Sequence, residues 1–128
     1  MMKPDGLLDT NIFIDISRRY ALALNWLQSN RLVFAVSSFT RMELILGARN
    51  KSEQEKIIAM LQTYDLVYPD ETDAKWGMEQ FEAFHLSHQV EIIDCMIAAT
   101  SVRLGIPIYS RNVKDLGILP GVVVRVPY

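Results

Sequence analysis

The sequence predicts an α/β domain built on a mostly parallel sheet of about five strands, with helices on both faces. Short apolar runs alternate with stretches of helical periodicity along the chain. Runs such as Leu32-Val33-Phe34-Ala35-Val36 are continuously apolar, as strands buried on both faces are. No repeat, linker or low-complexity tract interrupts the alternation. A pattern of this kind folds with right-handed crossovers between parallel strands.

Taken in order, Leu7-Leu8 forms the core of the first strand. Ile12-Phe13-Ile14 opens a helix that Tyr20, Leu24 and Leu27 continue at helical spacing. Leu32 to Val36 is the second strand. Thr40-x-x-Glu43 reads as a capping box, with Leu44-Ile45-Leu46 behind it and Gly47 nearby. Ser52-x-x-Glu55 reads as a second box, opening a helix through Ile58 and Leu61. Leu66-Val67-Tyr68, before Pro69, is the third strand. Trp76, Phe81 and Phe84 mark a helix from Asp73 to near Leu86. Ile92 to Leu104 is helical and stops at Gly105, a good C-cap residue. Pro107-Ile108-Tyr109 is the fourth strand. After a short turn of helix, Gly121 to Val126 is the fifth.

Residues 1–128, half of them hydrophobic, suffice for a single domain with a real core. The net charge of −2 lacks the strong basic excess of a protein that grips nucleic acid through a broad basic face. Acids that bind metal would soften that balance. The lone Cys95 excludes an intramolecular disulfide and points to a reducing, cytoplasmic setting. No signal-peptide pattern or membrane-length apolar run occurs.

Four acids stand where strands end or helices begin: Asp9, Glu43, Asp94 and Asp115. The carboxyl ends of parallel strands share one edge, so these acids can meet in one crevice. Converging oxygen donors suit a hard cation such as Mg²⁺ or Mn²⁺, and hence a metal-dependent hydrolase. Each also has a plain structural reading. Asp9-Thr10-Asn11 is helix-capping chemistry, and Glu43 closes its own capping box. Asp94 sits in an apolar helical segment, where a charge is costly unless paired or metal-bound; otherwise it caps a helix from Cys95 onward. Ser110 and Asn112 would support the site by hydrogen bonds, with Asp115 completing the acidic ring. Arg111 and Lys114 would be the nearest cations for a phosphate backbone. That segment also suits an ordinary loop. Thr10, Asn11, Thr40, Ser110, Arg111 and Asn112 are thus the candidates for support or substrate contact. His85 and His88 lack a third zinc ligand, and Cys95 reads as a small buried hydrophobe. Arginines 18, 19, 41, 49 and 103 are scattered, some able to face a nucleic acid or a partner. Phosphate-loop and nucleophile-elbow motifs are absent.

Read together, four segments resemble the ordered motifs of PIN domains. They are Leu7-Leu8-Asp9-Thr10-Asn11, Ser37-x-x-Thr40-x-x-Glu43-Leu44-x-x-Gly47, Asp94-x-x-Ile97-Ala98-Ala99 and Ser110-Arg111-Asn112-Val113-Lys114-Asp115. Among PIN domains, the VapC-type ribonuclease toxins of prokaryotic toxin–antitoxin pairs are the most similar. The resemblance implies a three-layer α/β/α fold and a metal-dependent endoribonuclease. It implies a homodimer, silenced by a small antitoxin that inserts a segment near the active site. Asp9, Glu43 and Asp94 match the family's metal-site acids. The fourth acid falls at the position of Asn112 in many relatives and of Asp115 in others, so Asp115 is assigned. Ser110 replaces the usual Thr and keeps its hydroxyl; Leu116 replaces a common Phe. A receiver-like phosphoacceptor domain is the alternative. It would need an acidic pair after the first strand and a lysine after the fifth, and neither is present. A phosphatase using Asp-x-Asp would need an acid where Asn11 stands. A non-catalytic PIN scaffold fits poorly with intact acids.

Overall fold

A computed structural model describes residues 3–128. The elements run β1 (Gly6–Leu8), α1 (Thr10–Ser17), α2 (Ala21–Ser29), β2 (Phe34–Ser37), α3 (Ser38–Leu46) and α4 (Lys51–Leu61). They continue with β3 (Asp65–Val67), α5 (Glu71–His88), α6 (Ile92–Leu104), β4 (Ile108–Tyr109), α7 (Val113–Leu116) and β5 (Val124–Arg125). Five parallel strands lie in the order β3-β2-β1-β4-β5. The chain winds outward from β1 through β2 to β3. It then returns to the other side of β1 and winds outward again. The order therefore reverses between β1 and β4, and in open sheets of this kind ligands bind beside that point, at the strands' carboxyl ends.

Alternation along the strands separates two cores. Leu7, Ala35 and Ile108 face one side, under Cys95, Ile97 and Ala98 of α6 and Leu116 of α7. Leu8, Phe34 and Val36 face the other, with Ile12 and Phe13 of α1 and Leu61 of α4. This is the α/β/α sandwich expected. Helix α3 joins the layers at the carboxyl edge: Phe39 packs on the first core and Leu44 lies in the second. Helices α5 and α6 pack closely, and a Cβ on Gly77 would lie 2.8 Å from Met96 Sδ. Among the described residues no helix is long and apolar enough to cross a membrane.

Several expected boundaries shift. The first helix is two helices, because Arg19 adopts a left-handed φ of 59°. Tyr20 N–H then bonds to Asp15 O and Arg19 N–H to Ile16 O, the paired bonds of a Schellman end. Leu32 and Val33 precede β2 and are exposed. Val33 N–H donates to the Asp5 carboxylate and Val33 O accepts from Asp5 N–H, which holds this lead-in off the core. Ser37, not Thr40, caps α3, accepting from Phe39 N–H. Asn50, not Ser52, caps α4: Asn50 Oδ1 accepts from Glu53 N–H, while Glu53 Oε1 accepts from Arg49 N–H, one residue before the cap, so the expected box is not formed. Helix α5 starts earlier than expected, on a box of Asp70 and Asp73. Strand β5 is only two residues long, because it pairs with β4 alone at the sheet edge. The end of α6 is as expected, with Gly105 at a φ of 66°.

One buried polar network fastens α5 to α6. The Asp73 carboxylate, 1 % exposed, accepts from Arg103 Nε at 2.8 Å and from Thr100 Oγ1 at 3.0 Å. Burial works against its ionised form, but these bonds and the Arg103 charge prevail, and its pKa is lowered from 3.8. Its contribution is therefore full above the unfolded value and is lost as pH falls through the lower native one. Asp73→Ala is expected to cost about 2 kcal/mol in urea unfolding at neutral pH and to reduce the loss of stability on acidification. A change within a few tenths of a kcal/mol would show that the network does not stabilise the helix pair.

Candidate active site

Residues 9 and 110 follow directly on the paired ends of β1 and β4, where Leu8 lies opposite Tyr109. Asp9 is therefore placed against Ser110 across the switch point. Asp9 is 5 % exposed and Ser110 is fully buried. Ser110 Oγ donates to Asp9 Oδ2 at 2.7 Å and accepts from Asn11 Nδ2 at 3.0 Å and from Asn112 N–H at 2.9 Å. Asp9 Oδ1 accepts from Thr10 N–H at 2.9 Å, and Oδ2 takes a longer bond from Asn11 Nδ2 at 3.3 Å. Thr10 Oγ1 in turn donates to Glu43 Oε1 at 2.6 Å. The capping chemistry of α1 and the support of two acids are thus the same bonds. Glu43 is not bound to a cap; it faces Thr10 from α3.

Asp94 lies in the first turn of α6, and Asp115 in α7. Burial, and then the charges of Asp9, Glu91, Asp115 and Glu43, push the Asp94 carboxyl up to about 7. Burial also raises Asp9, against the bonds from Ser110 and Thr10. It raises Glu43 against the Thr10 bond, helped by the charges of Asp9 and Glu91. The acids expected at the site therefore feel one another's charge. The four ion pairs among the described residues do not involve them. Glu91, not among the acids the sequence singles out, acts on both Asp94 and Glu43. It precedes α6 and stands three residues before Asp94, on the same helical face; that spacing was the available signal. Among the described residues no three carboxylate, histidine or cysteine side chains are grouped closely enough to hold a metal ion without moving.

The other candidates lie as follows. Arg111 N–H donates to Asn11 Oδ1 at 3.1 Å, but its guanidinium turns to Asp15. Lys114 is exposed. Thr40 is fully buried, and its Oγ1 is the one buried side-chain polar atom without a partner among the described residues. The Cys95 thiol is raised to about 11 by burial and by the Asp94 charge, in keeping with an inert core residue. His85 stacks on Phe81 in the last turn of α5, and His88 Nδ1 bonds to Ser87 Oγ. Arg49 and Arg103 are engaged by Glu53 and Asp73.

The family profile of the PIN domain matches residues 6–114 of the chain. The chain belongs to the PIN domain family. A toxin–antitoxin complex from Klebsiella pneumoniae is similar at 27% identity, covering 96% of this chain and 98% of that one, with a TM-score of 0.76. DNA-bound VapBC from Salmonella typhimurium is similar at 24% identity, covering 98% of each chain, with a TM-score of 0.75. The sarcin–ricin-loop-cleaving toxin VapC20 of Mycobacterium tuberculosis is 13% identical over 91% of this chain and 97% of that one, with a TM-score of 0.72. The last two likenesses speak for the PIN fold alone. Compared by sequence with curated proteins, the chain matches none.

The raised Asp94 has a consequence for stability. Its native pKa lies above the ordinary 3.8. Between the two values the native PIN domain keeps a proton that the unfolded chain has lost. Stability therefore falls as pH rises through that window and levels off above about 7. Asp94→Asn is expected to stabilise the metal-free protein at about pH 8. The gain is about 1–2 kcal/mol once solvent screening of a half-buried group is allowed for. An unchanged or lower urea midpoint for the variant would contradict the crowding of charge at Asp94.

Proposed function

We propose that this PIN domain is a metal-dependent endoribonuclease of the VapC kind, a toxin restrained by a cognate antitoxin. The observation that carries the reading is the accumulation of acid charge at the switch point. Burial first, and then the charges of Asp9, Glu91, Asp115 and Glu43, raise Asp94, and none of the four ion pairs among the described residues involves these acids. The family match and the similarity to a Klebsiella toxin–antitoxin complex support it.

The donor set fits Mg²⁺ or Mn²⁺ in kind and in charge, being all oxygen and strongly anionic. Asp9 and Asp94 would hold the ion, with Glu43 and Asp115 as further ligands or as orienters of the attacking water. When bound, the cation would acidify a water and neutralise charge gathering on the phosphate. The chain's own groups do the positioning. Ser110, Asn11 and Thr10 N–H fix both oxygens of Asp9. Thr10 holds Glu43 by one oxygen. Glu43 would orient the attacking water or accept its proton. Lys114 offers a cation to the RNA backbone. The homodimer rests on the resemblance to VapC-type toxins. The single cysteine supports a cytoplasmic setting.

Purified protein incubated with total RNA tests the reading. Discrete fragments are expected with Mg²⁺ or Mn²⁺ and none with chelator. Asp94→Asn is expected to slow cleavage at least about a hundredfold with the fold intact. Cleavage by that variant at the wild-type rate would remove Asp94 from the site.

A further inference from the structure

We propose that Asp15 and Tyr128 are positioning residues: through Arg111 they clamp the segment 110–112 against the acids. The proposal rests on those acids being the working site. Asn11 and Asp15 are four residues apart on α1 and share one face. Asn11 Oδ1 accepts from Arg111 N–H at 3.1 Å. Asp15 Oδ2 accepts from Arg111 Nη1 at 2.8 Å and from the Tyr128 hydroxyl at 2.6 Å. One face of α1 therefore grips Arg111 twice, by its main chain and by its guanidinium. On one side of Arg111 is Ser110, bonded to Asp9; on the other is Asn112, whose N–H bonds to Ser110.

The anchor is built to stay charged. The Asp15 side chain is 15% exposed, against 51% for Arg111. Burial disfavours the Asp15 anion, but the bonds from Tyr128 and Arg111, with the charges of Arg111 and Arg18, outweigh it and lower its pKa. Tyr128 is itself held in an aromatic cluster. Its ring lies 5.9 Å from Tyr20 and 6.2 Å from Trp26, and Trp26 lies 5.7 Å from Tyr109, the residue before Ser110. An ion pair with a half-exposed partner contributes little to stability. What this one fixes is the place of the loop. Arg111 is then a strut, not the phosphate contact that the sequence suggested.

The test compares wild type with Asp15→Ala, Asp15→Asn, Arg111→Ala and Tyr128→Phe. Three quantities are read: exchange at the Arg111 and Asn112 amides, the Mn²⁺ dissociation constant by calorimetry, and RNA cleavage. In Asp15→Ala, faster exchange at both amides is expected, with a Mn²⁺ dissociation constant raised about tenfold. Tyr128→Phe should move the same readings less. Arg111→Ala should match Asp15→Ala, and the double variant should be no worse than either. In cleavage, kcat should fall while KM and the salt slope hold. A phosphate-contacting arginine would instead raise KM and reduce the salt slope by about one. Unchanged exchange and Mn²⁺ affinity in folded Asp15→Ala would overturn the clamp, as would additive effects. If Asp15→Ala fails to fold, Asp15→Asn is judged by the same readings. A wild type that neither binds Mn²⁺ nor cuts RNA counts against the nuclease reading, and amide exchange alone then decides the clamp.

Discussion

The bond between Asp9 and Ser110 joins residues 101 positions apart across the point where strand order reverses. A carboxylate as buried as Asp9 is costly unless hydrogen bonds replace its water. Ser110, Thr10 and Asn11 supply them, and Ser110 can do so only when β4 is docked beside β1. Satisfying Asp9 and completing the sheet are therefore one event. Once Asp9 is fixed, the remaining placements follow: Thr10 carries Glu43, Asn11 carries Arg111, and Ser110 carries Asn112.

The site divides into a satisfied base and an unsatisfied rim. Asp9 is held by three donors, whereas every influence on Asp94 disfavours its charge. Elsewhere in the molecule buried acid is compensated, as Asp73 is by Arg103 and Thr100 and Asp15 is by Arg111 and Tyr128. Among the described residues, the acids that are at least partly buried and outside any ion pair are thus Asp9, Glu43, Asp94 and Asp115. A folded chain that leaves such charge in one place has given up stability there, which is the usual mark of a functional site.

The fold was largely legible in the sequence, because it depends on local pattern. Apolar runs gave the strand sequence, and acids at strand ends pointed to one edge. What could not be read depends on partners far along the chain or on rare backbone states. Arg19 ends α1 in a left-handed conformation that a non-glycine residue does not advertise. Thr40 and Glu43 have the spacing of a capping box, but Ser37 caps α3 and Glu43 turns to Thr10, 33 residues away. Arg111 looked like a free cation because its partner, Asp15, is 96 residues distant. Glu91 was masked by its place before a helix, where an acid is ordinary.

The central claim is that the acids of the switch point hold a divalent cation. Anomalous diffraction from crystals grown with Mn²⁺ tests it most directly. A peak bounded by Asp9 and Asp94, with Glu43 or Asp115 beside it, is the expected result. No peak at the crevice, or one confined to other carboxylates, would contradict the claim.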